Sequence, residues 1–105
     1  MVQQIVQTAE QQSVPVEMAL AVACIESGIR GPNPMGVQAC YGSVKNPPKP
    51  AVCIQIGVRS LKSKLPNVLT KSATKRVFRR YNNSSHRDQY ANKAYHLSVV
   101  VKRNR

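Results

Sequence analysis

The sequence predicts an all-α domain of about five helices. Three observations point there. Apolar residues recur at three- and four-residue spacing in separate stretches, prolines fall between those stretches, and no stretch alternates apolar with polar residues as a half-buried strand does. At 105 residues the chain reads as one domain, 1–105, able to bury one core with little margin.

The elements follow in order. Val2, Ile5, Val6 and Ala9 fall on one helical face, and that helix stops near Gln12. The segment "SVP" turns the chain, because a residue before proline is pushed out of the α region. Pro15 suits a first helical position and Glu17 a first turn, so a second helix runs over about 15–27. It is apolar almost all round from Met18 to Ile25, which predicts a central place in the fold and a buried Cys24. Gly28 is placed to end it. Residues 29–50 form a long Pro/Gly-rich loop, and loops of that length in a compact domain usually carry function or disorder. A third helix spans about 51–65, with Val52, Ile56, Val58, Leu61 and Leu65 inward, and Pro66 stops it. A fourth, about 72–81, presents Val77, Phe78 and Tyr81, and "YNNSSH" breaks it. The last, about 87–102, carries Tyr90, Ala94, Leu97 and Val101 on one stripe; Val99, Val100 and Val101 favour strands but sit within the helical pattern.

Sixteen Lys and Arg against four acids give a formal charge of +12. Such a field attracts polyanions: nucleic acid, an anionic membrane surface or the acidic polymers of a bacterial wall. The dense cluster before the C-terminal tail is Lys75, Arg76, Arg79 and Arg80. Four Tyr, one Phe and no Trp argue against a single-strand binder built on stacking platforms. No segment approaches the roughly 20 apolar residues of a membrane span. The opening "MVQQIVQTAEQQ" lacks the basic start and apolar run of a signal peptide, so we expect either release without a signal or a domain of a longer chain. Cys40 and Cys53 flank the proline-rich loop and could bridge it, leaving Cys24 over. No cysteine pair has metal-site spacing and both histidines lie far away in sequence, so we expect no metal and no cofactor.

Glu26 raises the sharpest question: a carboxylate closes the most apolar helix of a chain with few acids. Burial raises a carboxyl pKa, and the negative end of a helix dipole pushes the same way. A carboxylic acid still protonated near neutral pH is what a general acid needs to protonate a glycosidic oxygen. The alternative is a half-exposed Glu at a helix end, paired with Arg30 four residues on.

"ESG" after the apolar helix, a Pro/Gly loop containing "PMGVQ", the helix "CIQIGVRSLKSKL", then "YNNS" and "YANKA" follow one another. In this order and spacing, over about residues 2–100, the chain resembles the soluble lytic transglycosylases, helical enzymes of the lysozyme-like (goose-type) fold. "PAVCIQIGVRSL" is most similar to the branch that serves type IV secretion systems and phage virions. The resemblance implies Glu26 as the catalytic acid and base. It implies Ser27 near the sugar or the loop, Gln38 at the end of the loop motif, Tyr81 and Asn82 lining the N-acetyl sugar site, and Tyr90 orienting the Glu26 carboxyl. It implies peptidoglycan glycan strands as substrate, action at the bacterial cell wall, and a secretion or virion assembly as a further partner. The chain departs from the family where Met35 stands for Gly, with Gly36 one place late, where Arg80 stands for Ala, and where Asn83 or Ser84 stands for Gly. A cleft narrower or more basic than the family's follows. The loop is also similar to that of the related glucosaminidases.

The number of carboxylates separates the reactions. Glycoside hydrolases use a pair, about 5–9.5 Å apart. Glu17 lies nine residues before Glu26, about 13 Å along a helix axis. Glu10 belongs to the outer end of the first helix, and Asp88 alone could approach. A lytic transglycosylase needs one group only, so the scarcity of acids favours it over a muramidase or glucosaminidase. Two other classes compete: a non-catalytic wall-binding module on the same fold, and a basic nucleic-acid-binding helical protein. The latter has only "TKRVFRRYNN" for a recognition helix, which makes nucleic acid the weaker partner.

Overall fold

The computed structural model describes residues 1–41 and 48–105. Its α-helices are α1 (Val2–Gln11), α2 (Val16–Ser27), α3 (Pro50–Lys64), α4 (Lys71–Tyr81) and α5 (Arg87–Arg103), with a 3-10 turn at Gln38–Cys40. The described residues contain no strand, and none of their helices is long and apolar enough to cross a membrane. Of the expected 29–50 loop, residues 42–47 lie outside the described residues.

α2 packs against α1 and α5, α4 against α5, and α3 against α1 and α4. The core is the unbroken run Met18–Ala23 of α2, surrounded by Ile5, Ile54, Val58, Leu61, Val77 and Phe78. Large side chains buried in this way contribute about 1.5–3 kcal/mol each. α1 ends in a Schellman turn. Ser13 takes a left-handed φ of 58°, its N–H donates to the Glu10 carbonyl, and the Val14 N–H donates to the Ala9 carbonyl. Val14 and Ala9 are both buried, supplying the apolar contact that goes with this turn. At the start of α4, Thr70 Oγ1 accepts the Ala73 N–H at 3.1 Å, an ordinary N-cap.

Three expectations are corrected. Val2 is exposed, because α1 begins beyond the edge of the core, and only Ile5 and Ala9 of this helix are fully buried. Cys24 is exposed, not buried. It lies one turn past Leu20 and two past Glu17, on the face of α2 that its neighbours cover least, and the fully covered run stops at Ala23. In α3 the buried stripe is Cys53, Ile54, Gly57, Val58 and Leu61. Val52 is exposed and Ile56 only half-buried. Two ties set the rotation of this helix: the Cys40–Cys53 disulfide, with Cα atoms 6.2 Å apart, and Gly57 against Met35.

Candidate functional site

α2 leaves the core through its last turn, so Ile25, Glu26 and Ser27 are half-buried. Gly28, at φ 69°, ends the helix and donates its N–H to the Cys24 carbonyl. Ile29 follows at φ 59°, a left-handed conformation that costs a β-branched residue about 1–3 kcal/mol. Its N–H reaches back to the Ala23 carbonyl and its side chain packs on the core, which holds the turn in place.

That turn sends residues 30–41 back across the end of α2, where several ties pin them. Ser27 Oγ shares its hydrogen between the Pro34 carbonyl at 2.9 Å and the Ala23 carbonyl at 3.1 Å, and it accepts the Arg30 N–H. The Asn33 side chain brackets Val37, accepting its N–H and donating to its carbonyl, both at 2.9 Å. Met35 is fully buried. Its carbonyl accepts Tyr81 Oη from α4 at 2.6 Å. Its side chain lies against Gly57 of α3, where a Cβ would come within 2.5 Å of Met35 Cβ.

Gly36 comes out of this loop beside the Glu26 carboxyl. A Cβ on Gly36 would lie 2.6 Å from Cδ and Oε1 of Glu26, and its φ is 65°. Glycine is required here on both counts. From the other side Tyr90 Oη of α5 donates to Glu26 Oε2 at 3.3 Å. Burial raises the Glu26 pKa above the ordinary 4.5, and the Tyr90 hydrogen bond opposes this with a smaller effect. The Tyr81 and Tyr90 phenols are pushed well up, first by burial and then by the nearby Glu26 charge, so both remain hydrogen-bond donors. No ion pair joins Glu26 to Arg30; among the described residues the one ion pair is Arg79–Asp88 at 2.7 Å.

The carboxyl faces a cleft of about 540 Å³, lined by Glu26, Gly36, Val37, Gln38, Tyr41, Ile56, Ser60, Tyr81, Asn82, Asn83 and Ser84. The structure therefore brings Glu26, Gln38, Tyr81 and Asn82 to one wall-to-wall site and sets Tyr90 against Glu26. Ser27 is not on this lining; its hydroxyl is spent on the loop. Asp88 does not approach either. It is well exposed and bound to Arg79, so among the described residues, which hold all four acids, Glu26 is the only carboxylate on the cleft. The same pair occupies Arg79, one member of the basic cluster Lys75, Arg76, Arg79 and Arg80. Among the described residues no group of three or more His, Cys, Asp or Glu is placed to hold a metal ion.

Sequence reading assigned no site role to Gly36, Asn33, Ile56, Ser60 or Gly57. The one local signal was an Asn three residues before a Gly in a Pro-rich loop, a turn signature. The rest depends on which helix meets the loop. Comparison with protein-family models, curated proteins and solved structures returns no match.

Proposed function

We propose that the chain is a lysozyme-like lytic transglycosylase that cuts the β-1,4 bond between N-acetylmuramic acid and N-acetylglucosamine in peptidoglycan. The observation that carries this reading is Glu26. Its half-buried carboxyl has a raised pKa and lies on a cleft that holds no other acid among the described residues. The cleft is within the usual range for ligand sites, about 300–1,000 Å³. Gln38, Ser60, Asn82, Asn83 and Ser84 offer polar groups to hydroxyls and N-acetyl groups, while Val37, Ile56 and Tyr41 offer apolar faces.

In the proposed reaction the protonated Glu26 gives its proton to the glycosidic oxygen as the bond from that oxygen to C1 of muramic acid breaks. The 6-hydroxyl of the same muramic acid attacks C1, and the carboxylate just formed takes the hydroxyl proton. One bond breaks, one forms and Glu26 is restored. The product ends in a 1,6-anhydro sugar and no water is consumed. Tyr90 fixes the orientation of the carboxyl, and Gly36 leaves room for it. Action is at the bacterial cell wall, on glycan strands, with anionic wall polymers drawn by the net positive charge. A secretion or virion assembly is the further partner that the motif order suggests.

Glu26→Gln tests the assignment. It keeps the shape but cannot release a proton, and general acid–base catalysis is worth ~10²–10⁴ in rate. Purified sacculi should be solubilised by the parent and left intact by the variant. Cleavage by the folded variant at the parent's rate would remove Glu26 from the chemistry.

A further inference from the structure

The cleft continues into a basic groove. Lys64 ends α3 and Arg80 lies in the last turn of α4, and a cavity of about 390 Å³ between them is lined by Ser63, Lys64, Arg80 and Asn83. Asn83 also lines the Glu26 cleft. So does Ser60, whose carbonyl and hydroxyl accept the Lys64 ammonium at 3.2 and 2.9 Å. Beyond Arg80 a further hollow of about 230 Å³ reaches Arg76 over Leu65, Ala73 and Val77.

Basic residues in a last helical turn ordinarily complement the helix dipole. Here they are arranged for more than that. The Lys64 ammonium is drawn partly out of water and faces the like charge of Arg80; burial first and Arg80 second lower its pKa from 10.5. No acid offsets them: among the described residues, which hold all four acids, only Arg79 has a carboxylate partner. Like charges held around a cavity favour an anion between them.

We propose that this groove is a carboxylate subsite for the peptide stem carried by the muramic acid at the cleft, so that the chain prefers peptide-bearing glycan to bare glycan. The proposal rests on reading the cleft as a glycan site. The wall shared at Asn83, with Ser60 of the cleft holding the Lys64 ammonium, calls for an anion attached to the strand itself, close to the bond being cut. A stem peptide meets that requirement: it is joined to the muramic acid, it carries carboxylates, and its aliphatic parts suit the apolar floor of the outer hollow. A phosphate polymer joined through the muramic 6-hydroxyl fits less well, because it would block the group that attacks C1.

Binding by the Glu26→Gln protein, which does not depend on cleavage, tests the subsite. The probes are soluble glycan strands from a wall lacking phosphate polymers, at low salt, with peptide stems intact or removed by an amidase; removal leaves the lactyl carboxylate on each muramic acid, so the pair differs in the carboxylates of the stem and not in whether an anion is present. The stems should tighten binding about tenfold, the worth of one charge-assisted hydrogen bond. Adding Lys64→Gln and Arg80→Gln should bring the ratio of the two affinities close to one, with the melting temperature reporting that the protein is folded. If the double substitution unfolds the chain, Arg80→Gln alone, at an exposed position, should lower the ratio about threefold, half of that effect on a logarithmic scale. Equal binding of the two strand sets, or a preference that the substitutions leave intact, overturns the subsite. Tighter binding to phosphate-bearing strands without stems than to stem-bearing strands overturns the choice of carboxylate. Failure to bind either strand set overturns the glycan reading of the cleft, and the subsite with it.

Discussion

Replacing Gly36 by Ala adds one methyl group at the point where the loop meets the carboxyl. The methyl carbon would stand 2.6 Å from both Cδ and Oε1 of Glu26, well inside contact distance, and φ at this position is 65°. A left-handed conformation costs a residue with a Cβ about 1–2 kcal/mol before any clash is counted. In a chain of this size that is a fall in melting temperature of at least about 4 °C. The clash adds to it by forcing either the loop or Glu26 aside, and if Glu26 is the acid proposed above, a misplacement of about 1 Å can cost ~10²-fold in rate. Gly31→Ala is the matched control. Its φ is 82°, but nothing lies within 4 Å of the added Cβ. It should lose stability by the backbone cost alone and keep its activity on sacculi. Thermal unfolding and sacculus solubilisation, run side by side on both variants, separate the two effects. Wild-type activity and stability in Gly36→Ala would refute the reasoning, and equal activity losses in both variants would trace the effect to the backbone.

Three further outcomes follow from the same geometry. Tyr90→Phe removes a hydrogen bond that lowers the Glu26 pKa, so that pKa should rise and the alkaline limb of the kcat/KM profile should move to higher pH; an unmoved limb would contradict the contact. The folded state holds the Glu26 pKa above the ordinary 4.5, so this group's contribution to stability is full below that value and is lost as pH rises through the folded pKa. Glu26→Gln should therefore be more stable than the parent at neutral pH, with the gap closing toward acid; a constant gap in denaturant midpoints would exclude that linkage. Reducing Cys40–Cys53, 13 residues apart, should cost roughly 3 kcal/mol in unfolding experiments, while Cys24 labels quickly in the native protein without loss of fold; a Cys24 that resists labelling would contradict its exposure.

Much of the fold was legible because its strongest signals are local. An apolar run of this length, bounded by Pro15 and Gly28, reads as a central helix, and α2 is one. Pro15, Gly28 and Pro66 mark turns whose chemistry needs no partner. The rotation of α3 was not legible. Its sequence offers two overlapping apolar sets, one through Val52 and Ile56 and one through Cys53, Ile54, Val58 and Leu61, and distant partners choose between them: Cys40 by disulfide and Met35 by contact with Gly57. Cys24 was misplaced because helix phase alone does not reveal which neighbours stop short. At the site, the family resemblance pointed to Gln38, Tyr81 and Asn82 beside Glu26, and these four residues line one cleft. Gly36 could not, since its need for glycine arises from a carboxyl ten residues earlier that only the fold brings against it.

The proposed chemistry is read most directly from what it leaves behind. Sacculi digested with the purified protein and analysed by mass spectrometry should release muropeptides ending in 1,6-anhydro-muramic acid, each lighter by one water than the hydrolytic product. Glu26→Gln should release none. Soluble fragments with free reducing ends would contradict transglycosylation and show that water attacks. Intact sacculi from the folded parent under all conditions tried would contradict glycan cleavage itself.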